Sequence, residues 1–229
     1  MERRHLKAFA DPALLDLDAR LGGRPPDVQL ALARGIGSAL RNLGRGPPEE
    51  RELLHRLLIN VERGGHALAP ALVEGLCLDL DFTLSHEVDD RLDKSFAIAE
   101  RVPASLMGAY RRGLGIQIGR LAARGIEADL ASVRRVLAAL PPATRADIGF
   151  GFGWGFGELS PAAQLADALN TSGQPALLTD ALHGAGACRR HLDGPESVPE
   201  SSAGLDAASL SAFEAGRRWP NYPGRWTGP

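Results

Sequence analysis

The stretch Arg34-Gly35-Ile36-Gly37-Ser38-Ala39-Leu40 returns later in the chain as Arg112-Gly113-Leu114-Gly115-Ile116-Gln117-Ile118. Both copies sit on apolar patterns of helical period, and each runs on into a second such pattern. After the first come Arg45-Gly46, Pro47-Pro48 and the stripe Leu54, Leu57, Leu58, Val61. After the second come Arg124-Gly125 and the stripe Val133, Val136, Leu137, Leu140, with Arg56 and Arg135 at matching places. A glycine in a helix interior costs roughly 1 kcal/mol relative to alanine, so an Arg-Gly-x-Gly step inside two helices implies a backbone that another element approaches closely. That element is expected to be another helix. The repeat predicts two units that superpose with Gly35 on Gly113 and Arg56 on Arg135.

Elsewhere apolar residues recur at three- and four-residue spacing, and alternating β-branched runs bounded by turns are missing. The pattern predicts an all-α protein of about eight helices, stacked as helical units with an internal duplication. Helix starts are punctuated by Pro25-Pro26-Asp27, Pro47-Pro48-Glu49-Glu50, Pro103 and Ser160-Pro161, the last placing serine at an N-cap and proline at the first helical position. Residues 1–192 are expected to form a helical core holding two similar units, about 26–84 and 103–159, and a third small-residue helix. Residues 193–206 turn to Gly, Pro, Ser and Glu and read as a flexible linker, in which Gly194 is expected to accept a side chain. Residues 207–229 then hold a C-terminal helix, from Leu210 to Trp219, and an extended tail that Trp219, Tyr222 and Trp226 would pin.

The oddest segment is Gly149-Phe150-Gly151-Phe152-Gly153-Trp154-Gly155-Phe156-Gly157. A strand would put every glycine on one face and every aromatic on the other. A helix would make two glycine patches, 149/153/157 and 151/155, beside two aromatic ridges. The helix is the favoured reading, because Ala146-Asp147-Ile148 enters the segment in helical register. Five interior glycines would cost about 4 to 5 kcal/mol against alanine, so close packing on both sides is required and the helix should be central.

Three runs in the second copy, Tyr110-Arg111-Arg112-Gly113-Leu114-Gly115, Pro141-Pro142-Ala143-Thr144-Arg145-Ala146-Asp147 and Gly149-Phe150-Gly151, together resemble an uncharacterised bacterial family whose members occur among enediyne natural-product biosynthesis genes. Chains of that family carry a Gly-x-Gly helix, a Pro-containing turn before Arg-x-Asp, and a second Gly-x-Gly helix. Leu177 to Arg190, with Gly184 and Gly186, resembles the small-residue helix that follows there. The likeness covers roughly residues 103–192, and the first copy is a fainter match to an earlier unit. This chain departs from the pattern in being shorter and in its five-glycine aromatic run. The resemblance implies an architecture and a biosynthetic setting, and no catalytic residue.

A chain of 229 residues that is 44% hydrophobic can build one or two cores without disulfides. Cys77 and Cys188 lie in unrelated segments without Cys-x-x-Cys spacing, so buried thiols in a reducing compartment are expected. Met1-Glu2-Arg3-Arg4-His5-Leu6-Lys7 leads into no long apolar run, and the stretch between Asp147 and Glu158 falls short of the ~20 residues a membrane span needs. A cytoplasmic protein without a membrane span is the expectation. With 26 basic and 28 acidic residues and no basic stripe interleaved with aromatics, nucleic acid is not an expected partner.

No known catalytic motif is present. His86, Asp90 and Asp93, or Glu87, Asp90 and Arg91, can share a helix face, but the His-Glu-x-x-His pattern that fixes zinc is missing, and a solvated acidic helix start is the expectation. No metal and no cofactor are expected. His55 and His66 match Arg134 and Arg145 in the second copy, which points to surface or pairing roles rather than general-base work. Cys188 lies near His183 and His191 but lacks a helix N-terminus to activate it. The glycine runs make neither a dinucleotide fingerprint nor a phosphate loop. Arg34 and Arg112, with Glu74 and Asp147, either line a groove for a polar ligand or pair between helices. The first functional expectation is a non-catalytic helical binding or scaffold protein of unknown ligand, working beside a bacterial biosynthetic pathway, with a protein or a hydrophobic small molecule as its partner. The alternative is an enzyme or carrier taking a hydrophobic small molecule into a pocket formed by Phe150, Phe152, Trp154 and Phe156, with Arg112 and Asp147 as polar contacts.

Overall fold

A computed structural model describes residues 17–77, 98–125, 127–139, 141–171, 173–194 and 202–218. Among the described residues the chain forms α-helices and short 3-10 turns, with no strand. The helices are α1 (Leu17–Leu21), α2 (Pro26–Arg45), α3 (Pro48–Gly64), α4 (Ala69–Gly75), α5 (Met107–Arg124), α6 (Glu127–Ala139), α7 (Arg145–Gly157), α8 (Leu165–Thr171), α9 (Leu178–Asp193) and α10 (Ala207–Arg217). The all-α expectation holds, and the glycine-aromatic segment is helical throughout, within α7. None of these helices is long and apolar enough to cross a membrane. His86 to Asp93, Trp219, Tyr222 and Trp226 lie outside the described residues.

The chain divides into two compact units, with the boundary inside α5 between Tyr110 and Arg111. In the first, proline at the first position starts both α2 and α3, where its fixed φ and missing N–H are harmless. Glu49 and Glu50 sit in the first turn of α3, and Gly65, at φ 62°, ends it in the left-handed conformation that glycine adopts without strain. The predicted stripe Leu54, Leu57, Leu58, Val61 is the buried face of α3. α4 lies against α2 with almost no side chain between them. A Cβ on Gly37 would collide with the Leu72 carbonyl oxygen, and one on Gly75 with the Arg34 carbonyl oxygen. On each glycine the hydrogen that stands in place of Cβ therefore points at a carbonyl, the geometry of a weak C–H···O bond.

The second unit repeats this contact several times. Gly115 lies on the Ile148 carbonyl and Gly151 on that of Arg112; one turn further, Gly119 lies on Phe152 and Gly155 on Ile116. Advancing four residues on α5 thus advances four on α7, so the two helices run parallel. On its other side α7 meets α9, where Gly153 lies on the Ala181 carbonyl and Gly184 on that of Phe150. Gly157 is opposite Ala185, so this pair is parallel too. α10 closes the row, with Gly186 on the Phe213 carbonyl and Gly216 on that of His183. The central position expected for residues 149–157 is the position of α7.

Four sequence expectations need correction. Gly35, expected at a close contact, faces open space, and only Gly37 of that pair is covered by a neighbour. Gly194 ends α9 at φ 88°, a conformation that L side chains rarely adopt, so it is no neutral linker position. Ser160 does not cap a helix: its hydroxyl donates to the Ala123 carbonyl, and a 3-10 turn, Ala162–Gln164, precedes α8. The last helix is Ala207–Arg217 rather than 210–219, because Asp206 accepts a hydrogen bond from the Ser209 N–H at 2.7 Å and sets an earlier start.

Candidate functional site

The residues singled out from sequence converge on the second unit. Because α7 is flanked on both sides through its glycines, its aromatic side chains are left to fill the spaces above and below those contacts. Phe150, Phe152, Trp154 and Phe156 expose 3%, 0%, 2% and 2% of their surface. Phe152 and Phe156 stack at 6.2 Å, while Phe150 and Trp154 meet at a tilt. Ile116, Phe150, Trp154, Ala187 and Cys188 form one buried cluster. The helix reading of the glycine-aromatic run is therefore realised as a packed helix, with none of the four rings open to solvent.

Arg112 and Asp147 come together at the N-terminal end of α7. Asp147 accepts two ion-pair contacts, from Arg111 and Arg112, each at 3.8 Å. Asp180, on the first turn of α9, shares this end. Burial pushes its carboxyl pKa up, His183 opposes that shift, and the negative charge of Asp147 adds to it. In the first unit Arg34 reaches Glu74 with both Nε and Nη2, at 3.1 and 2.9 Å, and Glu74 is 1% exposed. Of the two readings of these charges, pairing between helices is the arrangement present.

The two ion pairs are not equivalents. The glycine contacts align Arg34 with Arg112 and Gly37 with Gly115, and likewise Leu72 with Ile148 and Gly75 with Gly151. On that register Glu74 matches Phe150 and Asp147 matches Ala71. Each copy has found its own acid for a shared arginine.

A polar group at the opposite end of α7 was missed from sequence. The Trp154 indole N–H donates to Glu158 Oε1 at 3.1 Å, and Arg120 Nε donates to Glu158 Oε2 at 2.6 Å. His191 stacks obliquely on Trp154 with ring centres 5.7 Å apart. The available signal was Trp154-x-x-x-Glu158, whose four-residue spacing puts both on one helix face. Arg120 and His191 join only through the parallel packing of α5, α7 and α9.

The remaining candidates have structural partners. His55 Nδ1 bonds the Arg101 carbonyl at 2.8 Å, so that nitrogen carries the proton. Arg134, its match in the second copy, donates to the Thr171 carbonyl. Cys77 and Cys188 are buried and unbridged. Desolvation pushes the Cys77 thiol far above its ordinary pKa, and that thiol donates to the Tyr110 carbonyl at 3.3 Å. Among the described residues no three His, Cys, Asp or Glu side chains gather as a metal site would require. No protein-family model, curated protein or solved structure matches this chain.

Proposed function

We propose that this is a non-catalytic helical binding or scaffold protein that works through its outer helix faces on a protein partner. One observation carries the reading. The segment richest in aromatic side chains, 149–157, is consumed by packing: its glycines contact α5 and α9, and its aromatics are at most 3% exposed. Arginines and acids that an enzyme would aim at substrate are instead spent on one another, as in Arg34–Glu74 and Arg120–Glu158. Near-neutral charge, with 26 basic and 28 acidic residues, supports a partner other than nucleic acid. A bacterial cytoplasm, beside a secondary-metabolite pathway, is the setting that the family resemblance adds to this proposal.

The test uses Trp154 as reporter in a Trp219→Phe/Trp226→Phe background. A packed helix requires blue-shifted emission that a hydrophobic polycyclic probe does not alter. Saturable quenching at micromolar probe, together with a rise in melting temperature, would select the carrier or enzyme reading in its place.

A further inference from the structure

Across four helix pairs, α2/α4, α5/α7, α7/α9 and α9/α10, one rule holds: a glycine lies on the carbonyl three residues before the glycine facing it, and the relation is reciprocal. α7 and α9 each have a neighbour on both sides, and each carries a Gly-x-Gly step in which the two glycines face different neighbours. Gly151 meets the preceding helix and Gly153 the following one; Gly184 and Gly186 divide in the same way. α10, at the end of the row, has the single contact glycine Gly216. In α4, Gly75 meets the preceding helix, and Cys77 stands two residues on; its thiol contacts the Tyr110 carbonyl, three residues before Gly113, where the rule places it. A Gly-x-Gly step is thus the signature of a helix with two close neighbours.

α2 carries such a step and uses half of it. Gly37 meets α4, the following helix, while a Cβ on Gly35 would find no atom within 4 Å. Around Gly35 the same face exposes Ala31, Leu32 and Ala39. At the equivalent places of the second copy, Ala109 is 4% exposed, Gln117 is 7% exposed and Gly113 is buried. The face of α2 that Gly35 marks is therefore an interface position of the repeat that has no occupant within this chain's described residues.

We infer that this face pairs with α2 of a second copy, parallel, about a twofold axis. The contact rule selects that occupant. It asks each partner for one glycine and one carbonyl three residues earlier, and two copies of α2 supply Gly35 and the Leu32 carbonyl each. Exchange of the partners leaves the contact unchanged, so the pair is isologous and closes at two. Charge does not oppose self-pairing, because positions 31, 32, 35, 39 and 42 are all uncharged. One turn beyond the crossing Ala39 takes the place that Gly157 holds beyond Gly153, and faces Ile36 of the copy as Gly157 faces Ala185. This pairing goes beyond the proposed function and stands independently of what the protein binds.

Sedimentation of the full chain tests it. The expected mass is twice the 24.3 kDa of one chain. Gly35→Leu, which fills open space in the single chain, is expected to restore the single-chain mass with an unchanged far-ultraviolet spectrum. In otherwise unaltered protein, Ala39→Cys is expected to cross-link to its own copy on mild oxidation, and Asn60→Cys, exposed on α3, is not. A single-chain mass at about 100 μM would overturn the inference. So would a dimer that folded Gly35→Leu leaves intact, since it would use another face. If Gly35→Leu loses its helical spectrum, the Ala39→Cys cross-link decides, and its absence is equally fatal.

Discussion

Alanine at Gly153 and alanine at Gly157 add the same methyl group to the same face of the same helix, one turn apart. Helix propensity treats them alike and awards each up to about 1 kcal/mol. The surroundings do not. At Gly157 the new Cβ meets the Ala185 Cα at 3.3 Å and Cβ at 3.4 Å, a tight contact relieved by a shift of a few tenths of an ångström. At Gly153 it lands on the backbone of Ala181, with the α carbon at 2.6 Å and the carbonyl oxygen closer still. No side chain there can rotate away, so α7 and α9 must separate at their closest crossing. Overpacking of this kind costs about 1 to 3 kcal/mol, and a gap of 0.5–1 Å forfeits a quarter to a half of each dispersion contact beside it. Because the obstacle is backbone, the cost falls in the upper part of that range, about 2 to 3 kcal/mol, and subtracting about 1 kcal/mol of propensity leaves Gly153→Ala less stable by about 1 to 2 kcal/mol, while Gly157→Ala should lie between unchanged and about 1 kcal/mol more stable. Melting followed by circular dichroism resolves this, because each 1 kcal/mol moves the midpoint of a domain this size by roughly 2–4 °C. A Gly153→Ala variant as stable as the parent would refute backbone contact between α7 and α9.

Two further expectations concern charge. Arg34→Met leaves the carboxylate of Glu74 buried without its guanidinium, and should cost about 3 to 5 kcal/mol in denaturant unfolding; Arg34→Met/Glu74→Met should recover most of the loss, and a double variant no better than the single would show that the pair is not the cause. Asp180 has a folded-state pKa raised above 3.8, chiefly by burial. The folded chain therefore holds that proton to higher pH than the unfolded chain, and this group's contribution to stability falls as pH rises through the interval between the two values. Asp180→Asn should accordingly be more stable than the parent at about pH 7, with the advantage shrinking towards the unfolded carboxyl range. A pH-independent difference would place its origin in packing instead.

The alternation of glycine and aromatics could be read as a central helix because only close neighbours on two sides offset that many glycines, and the two patches 149/153/157 and 151/155 are the two contact faces. Which glycine of a pair is used was less legible. Gly35 and Gly37 differ by 200° around one helix, and nothing local says which side the chain itself will cover. The register of the two acids is hidden in the sequence for a similar reason. Glu74 and Asp147 each precede a glycine, but register is set by carbonyls, which leave no mark on residue type. Likewise Arg120 and His191 are far from Trp154 in sequence and meet it only because α5, α7 and α9 are parallel. Gly194 looked like linker, since its φ of 88° belongs to the end of α9 and not to its own composition.

The middle helix of the second unit is the one least able to form alone. Nucleating a helix is unfavourable, and α7, at 13 residues with glycine at every second place from 149, has too little propensity to propagate one. Its order has to be templated by α5 and α9, one made before it on the chain and one after. During folding, then, the row should not grow from its N-terminal end. α5 and α9 would gain helical structure first, and the helix between them in sequence would be the last to acquire protected amides. Pulse-labelled hydrogen exchange would show amides 149–157 closing after those of α9, and substitutions at Gly153 would speed unfolding while leaving the folding rate nearly untouched.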